Sequence, residues 1–164
     1  MPEAHHTAFA FGPSGLQPYR VAESATPYVA RRHGTCIGIE GDDGATLVQR
    51  LRQGLPASAF ERIQRALGVP AKVLADVTHI PVRTLSRRKQ QGRFDVSESE
   101  RLFRIAALYD HAVVVMGGEE RAREWLTCPV RGLGDRVPLH YADTEPGAQE
   151  VHDLLGRIEH GVFS

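Results

Sequence analysis

From Gly44 to Gly161 the apolar residues recur at helical spacing, and nearly every run of them is closed by glycine or proline. A chain patterned this way is confined to short and medium helices joined by tight turns. Leu47, Val48 and Leu51 mark a first helix that Gly54-Leu-Pro56 stops. Ser58, followed three places later by Glu61, has the form of a capping box, and Phe60, Ile63 and Leu67 give that second helix its apolar face. It ends at Gly68-Val-Pro70, and Pro70 suits the first turn of the next helix, which needs no donor there. Leu74, Val77, Ile80 and Leu85 carry the pattern across a break at residues 78–81. Leu102, Ile105, Ala106, Tyr109 and Val113 line one face of a long helix from about Ser97 to Met116, closed by Gly117-Gly118. A short helix over residues 119–126 carries acids in its first turn, as the helix dipole prefers, and Pro129 ends it. Residues 129–143 read as a loop. Val151, Leu154, Leu155 and Ile158 stripe a last helix from about Pro146 to His160, with Gly161 as its stop. Every element is helical, so the fold class expected is all-α.

Residues 1–43 show no sustained period and are rich in Ala, Pro, Gly and His; they read as an irregular, flexible arm, with Thr35-Cys-Ile-Gly-Ile39 as an extended piece of it. The organisation expected is this arm, a helical domain over 44–116 and a smaller domain over 117–164. The chain of 164 residues is 41% apolar and 24% charged, which suits a soluble protein. No apolar run approaches the roughly 20 residues needed to cross a bilayer, so no membrane partner is expected. No basic cluster followed by an apolar stretch opens the chain, so no secretory signal is expected, and two cysteines, Cys36 and Cys128, are too few for a disulfide framework and read as free thiols in a reducing cytoplasm.

Residues 71–90 fit two short helices crossing at a steep angle. Ala75 is small where they approach, Ile80 and Leu85 plug the angle, and His79 stands at the turn position that glycine often takes. On a wheel of about 100° per residue, Arg83, Arg87 and Gln90 lie within about 40° of the face opposite Leu85, with Ser86 beside them. That is the side a recognition helix turns to the major groove, where Arg reads guanine and Gln reads adenine. Thr84, Arg88, Lys89 and Arg93 are placed for phosphates. The charge pattern agrees: residues 60–104 carry ten Lys/Arg against five Asp/Glu, and residues 105–164 carry five against ten. A basic block beside an acidic one suggests two different partners, although a solvated basic face in a helical bundle has the same pattern.

In the acidic third, Ala122, Trp125 and Leu126 share a face, as do Val151, Leu154, Leu155 and Ile158. Core packing explains such stripes, and so does a partner pocket. The segment Gly161-Val-Phe-Ser164 offers a free apolar end beyond the last helix, decorated by Arg157, Glu159 and His160. Catalytic readings find little. The eight histidines include no helical i, i+4 pair, no Cys-x-x-Cys is present, and no Gly-Lys-Ser/Thr follows the glycine pairs. No metal, cofactor or enzymatic activity is expected. Cys36 follows Arg31, Arg32 and His33, which would lower a thiol pKa, but an ordinary thiol on an arm is the simpler reading.

Several segments also carry a family resemblance. Glu120-Arg-Ala-Arg-Glu-Trp-Leu126, Gly132-Leu-Gly134, Pro138-Leu139, Thr144-Glu-Pro-Gly-Ala148 and Arg157-Ile-Glu-His-Gly-Val162 resemble, in order and spacing, the toxin-binding domain of the Xre/MbcA/ParS antitoxins. Arg83-Thr-Leu-Ser-Arg-Arg-Lys89 and Ser97-Glu-Ser-Glu-Arg-Leu102 resemble the family's Xre-type helix-turn-helix. The likeness spans roughly residues 44–164, with His160 where the family pattern has an aromatic such as Tyr. It implies a RES-domain toxin as partner, resembling ADP-ribosyltransferases and consuming NAD, whose active site the antitoxin's C-terminal region covers. It also implies a homodimer that represses its own operon through operator DNA. The toxin-binding set expected is Trp125, Leu126, Val151, Leu154, Leu155, Arg157, Ile158, Glu159, Gly161, Val162, Phe163 and Ser164. Two other functions remain open from sequence: a stand-alone transcription regulator without a toxin, and an interaction module that no longer touches DNA.

Overall fold

The computed structural model describes residues 34–39 and 43–161; the rest of the expected arm, residues 1–33 and 40–42, and the tail Val162–Ser164 lie outside the described residues. Eight α-helices follow one another among them: α1 (Gly44–Gln53), α2 (Ser58–Leu67), α3 (Ala71–Val77), α4 (Val82–Gln91), α5 (Val96–Met116), α6 (Glu119–Thr127), α7 (Pro138–Tyr141) and α8 (Glu145–Glu159). None of the described helices is long and apolar enough to cross a membrane.

The long helix α5 organises the rest. Its start is fixed by a capping box: the Asp95 side chain accepts from the Glu98 amide, and the Glu98 carboxylate accepts from the Asp95 amide. The sequence places that device instead at Ser58 and Glu61. There the structure has Ala57 at the cap position with no side-chain hydrogen bond, and Ser58 is already inside α2. Between Ile105 and Ala112 every residue of α5 is buried. The amphipathic stripe read from sequence is therefore one side of a helix enclosed on all sides, because α2 and the 34–39 turn pack against it as well as α6 and α8. The core runs without interruption from Ile63 and Leu74 to Leu126 and Leu155.

Residues 34–39 depart from the extended arm expected of them. Thr35–Ile37 form a 3-10 turn between Gly34 and Gly38, both in the left-handed conformation. Ile37 and Ile39 are buried in the core. The Asp110 carboxylate on α5 accepts from the backbone N–H of Thr35 at 2.7 Å and of Cys36 at 3.4 Å, and Arg62 on α2 donates to the Ile37 carbonyl at 3.1 Å. Burial and the neighbouring Asp110 push the Cys36 thiol far above its ordinary range, so the sequence neighbours that would activate it do not set its chemistry.

The loop expected over 129–143 contains a 3-10 turn at Arg131–Leu133 and the short helix α7. Gly147, in the first turn of α8, is forced: a Cβ there would sit 1.9 Å from the Tyr141 carbonyl oxygen. Gly54 is the second such position, with φ of 83° and room for a Cβ only 2.2 Å from the Phe94 carbonyl oxygen. It closes the backbone bridge between Pro56 and Arg93 that holds the α1–α2 link against the α4–α5 link.

Candidate functional site: a nucleic-acid face and a partner-binding end

The steep turn between α3 and α4 forms as its residues dictate. His79 takes φ of 52°, the left-handed geometry more often given to glycine. Thr78 Oγ1 donates to the Leu74 carbonyl at 2.7 Å and so caps the end of α3. Ala75, Ile80 and Leu85 are buried at the crossing. Leu85 is the one residue of α4 that is fully buried, which leaves the remainder of that helix at or near the surface.

The cations expected on this helix divide into two groups. Arg83 and Arg87 are exposed beside Gln90, and neither makes a hydrogen bond or ion pair among the described residues. Ser86 is exposed and Thr84 half-buried. Arg88 turns the other way. Its Nε donates to Glu98 at 2.7 Å, its Nη2 to Asp95 at 2.7 Å and to Glu98 at 3.1 Å, and its Nη1 to Gln91 at 2.7 Å. Two carboxylates neutralise it and staple α4 to the start of α5, which removes most of its attraction for a phosphate. Arg93 donates to the Gly54 carbonyl at 2.9 Å and so satisfies the C-terminal end of α1. Lys89 sits on the opposite flank, 2.7 Å from Glu61 of α2, and this pair lowers the Glu61 pKa. Sequence patterning identified the cations but not which of them the fold engages. Asp95 and Glu98 were the available signal, since they stand seven and ten residues after Arg88.

The expected toxin-binding residues divide in the same way. Leu126, Val151, Leu154 and Leu155 are buried in the core, so the stripes of α6 and α8 serve packing against α5 and α7 rather than presenting a surface. Trp125 and Ile158 are half-buried against that core. Arg157, Glu159 and Gly161 lie at the end of α8, with Glu159 and Gly161 at or near the surface and Arg157 accessible beside them, and Val162, Phe163 and Ser164 lie outside the described residues. The start of α8 is fixed by the Thr144 side chain, which accepts from the Gly147 amide at 3.3 Å. Arg104 of α5 reaches across to Glu145 at 3.1 Å and to the Asp143 carbonyl at 3.3 Å. A second tie joins α5 to α8, where the Nδ1 atoms of His111 and His152 are 3.0 Å apart and their rings stack. Among the described residues no group of three or more His, Cys, Asp or Glu could hold a metal ion.

Comparison with known proteins agrees with both halves. A family model described as the antitoxin Xre-like helix-turn-helix domain matches residues 46–107. Another, the antitoxin Xre/MbcA/ParS C-terminal toxin-binding domain, matches residues 111–161. The two matches meet inside α5, in its most deeply buried stretch. The chain is 40% identical over 130 residues to an Antitoxin Xre of Yersinia enterocolitica, covering 78% of this chain and 88% of that one. It is 36% identical over the same length to an Antitoxin Xre of Photorhabdus laumondii, with the same coverage. A Prs ADP-ribosylating antitoxin of a Sphingobium strain is 27% identical over 124 residues, covering 70% of this chain and 78% of that one. With a helix-turn-helix on one side of α5 and a toxin-binding domain on the other, the chain belongs to the Xre family of antitoxins.

Proposed function

We propose that this antitoxin neutralises a RES-type, NAD-consuming toxin through the C-terminal end of α8, and that as a homodimer it represses its own operon through the outward face of α4. One observation carries the DNA half. The flank cations Arg88 and Lys89 are held by carboxylates, whereas Arg83 and Arg87 stand exposed and unengaged among the described residues, next to Gln90. A helix anchored on one flank through Arg88, with its outward guanidiniums free, is pre-organised to read base edges. A two-fold dimer would place two such helices in successive turns of the groove.

The toxin half is supported by the matched toxin-binding domain and by what α8 leaves accessible. With its apolar stripe packed inward, a partner meets Arg157, Glu159 and Gly161, with Ile158 and Trp125 contributing partial surfaces. The name of the Sphingobium relative ties that antitoxin to ADP-ribosylation, a chemistry that consumes NAD, and this favours an NAD-using partner here. An NAD pocket offers basic groups for a pyrophosphate and an apolar slot for a ring. Glu159 suits the first and Phe163 the second, so the end of α8 and the five residues after it cover the pocket.

The test is co-purification of the chain with a RES-domain toxin, followed by NAD hydrolysis and operator-binding measurements on the same preparation. Silenced NAD hydrolysis, restored when Val162–Ser164 are removed while binding is only weakened, supports the covering mechanism. A tail-less antitoxin that still inhibits fully moves the inhibitory contact to Arg157 and the body of α8.

A further inference from the structure

The two flanks of α4 are built differently. On the α5 flank, Arg88 closes the space between the helices with three hydrogen bonds to Asp95 and Glu98. On the α2 flank the space is open. A cleft of about 450 Å³ lies there, floored by Phe60, Leu85 and Ala71 and edged by Arg65, Ser86 and Lys89. Its acid is Glu61, and the Glu61–Lys89 pair that spans it is solvent-exposed, with side chains 47% and 59% accessible. An exposed pair of this kind contributes little to stability and exchanges readily for another partner. Arg65, one turn after Glu61 on α2, is exposed and makes no hydrogen bond or ion pair among the described residues.

We propose that this cleft seats one phosphodiester strand of the operator, with Arg65 of α2 and Lys89 of α4 as its cations. The inference rests on the reading of Arg83, Arg87 and Gln90 as the base-facing side. On the α4 wheel, Val82, Ser86 and Lys89 lie about 80–140° around from that face, toward α2. When a helix faces the floor of the major groove, its flanks face the walls, and the walls are phosphate backbone. Charge complementarity favours the α2 flank, where two cations stand against one carboxylate; on the other flank a single guanidinium is neutralised by two. Binding transfers Lys89 from Glu61 to a phosphate, and Arg65 takes an adjacent phosphate without breaking any internal hydrogen bond. Glu61 thereby restrains sequence-independent binding, because it competes with every phosphate for Lys89.

The experiment measures affinity for an operator duplex and for a scrambled duplex of equal length, between about 50 and 200 mM salt, using the full chain. For each phosphate that a variant no longer neutralises, the fall in affinity across that range should be about 3.5-fold smaller. R65A and K89A are expected to show that reduction with the operator-to-scrambled ratio unchanged, and R65K is expected to restore the salt dependence. E61Q should raise affinity for both duplexes together, and R88A should leave the salt dependence as it was. Arg65 and Lys89 are surface residues, so thermal melting should be unaffected. Unchanged salt dependence in both R65A and K89A overturns the proposal, as does a change of oligomeric state in either variant, which would mean that a second copy of the chain occupies the cleft. If no duplex is bound specifically by the wild type, it is the DNA-reading role of α4 that fails; if R83A/R87A loses specificity while R65A keeps the full salt dependence, the phosphate seat alone fails.

Discussion

Helices α4 and α8 belong to the same helical core yet meet it in opposite ways. α4 commits a single side chain, Leu85, to the core and is held to the start of α5 by the Arg88 ion pair. α8 commits Gly147, Ala148, Val151, Leu154 and Leu155, and is held by apolar packing along its length. On α4 Arg83 and Arg87 are exposed and make no hydrogen bond or ion pair among the described residues. On α8 the conspicuous residues of the sequence, its apolar stripe, are buried in the core, whereas Arg157 and Glu159 at its end are exposed. The comparison predicts that damage to α8's stripe acts through stability, whereas damage to α4's outer face acts through affinity alone.

The largest effect should come from the α8 stripe. Leu155→Ala removes a fully buried side chain and should cost about 2–5 kcal/mol of stability, read from denaturant unfolding. Gly147→Ala should be at least as damaging, because its methyl group meets a backbone carbonyl that cannot move without displacing α7. A Leu155→Ala protein of unchanged stability that has lost toxin binding would break the comparison. On α4, Arg83→Ala and Arg87→Ala should each weaken operator binding by about 1–3 kcal/mol. The same variants should shift unfolding by no more than about 0.5 kcal/mol, because neither side chain is engaged in the fold. Smaller still, Arg157→Ala should weaken toxin binding by about 1–2 kcal/mol with stability preserved, as expected of an accessible interface arginine.

The smallest effect tests how the 34–39 turn is held. Burial raises the Asp110 carboxyl above its ordinary value of 3.8, against the lowering effect of the backbone N–H groups it accepts from. Ionising it is therefore harder in the folded chain than in the unfolded one. Its favourable contribution is complete below pH 3.8 and is lost as pH rises through the raised folded value. Relative to wild type, Asp110→Asn should gain in melting temperature as pH rises from 3.8 toward neutrality. A difference that stays constant with pH would show that the carboxylate is as well solvated as it is in the unfolded chain.

Much of this architecture was legible in the sequence because glycine and proline punctuate it. The bounds of α1, α5, α6 and α8 follow from Gly54, Gly117, Pro129 and Gly161, and the helix-turn-helix follows from Ala75, Ile80 and Leu85. What escaped was tertiary. The capping box belongs to Asp95 and Glu98, whereas Ser58 and Glu61 have the same spacing but a different environment: Glu61 is drawn to Lys89 across the cleft. Residues 34–39 lack any amphipathic period, and their place in the core is decided by Asp110, more than seventy residues away. Likewise Arg88 and Arg93 look identical to Arg83 and Arg87 in a charge count. Only their distances to Glu98 and to the Gly54 carbonyl separate the arginines that the fold engages from those it leaves unpaired among the described residues.

The central claim is that one scaffold carries two separable faces, one for DNA and one for the toxin. The most direct test is the double variant Arg83→Ala/Arg87→Ala, with operator affinity and toxin neutralisation measured on the same protein. The account predicts that operator binding falls to the level of scrambled DNA while neutralisation is fully retained. Unchanged operator affinity, or neutralisation lost by a variant that melts like the wild type, would contradict it.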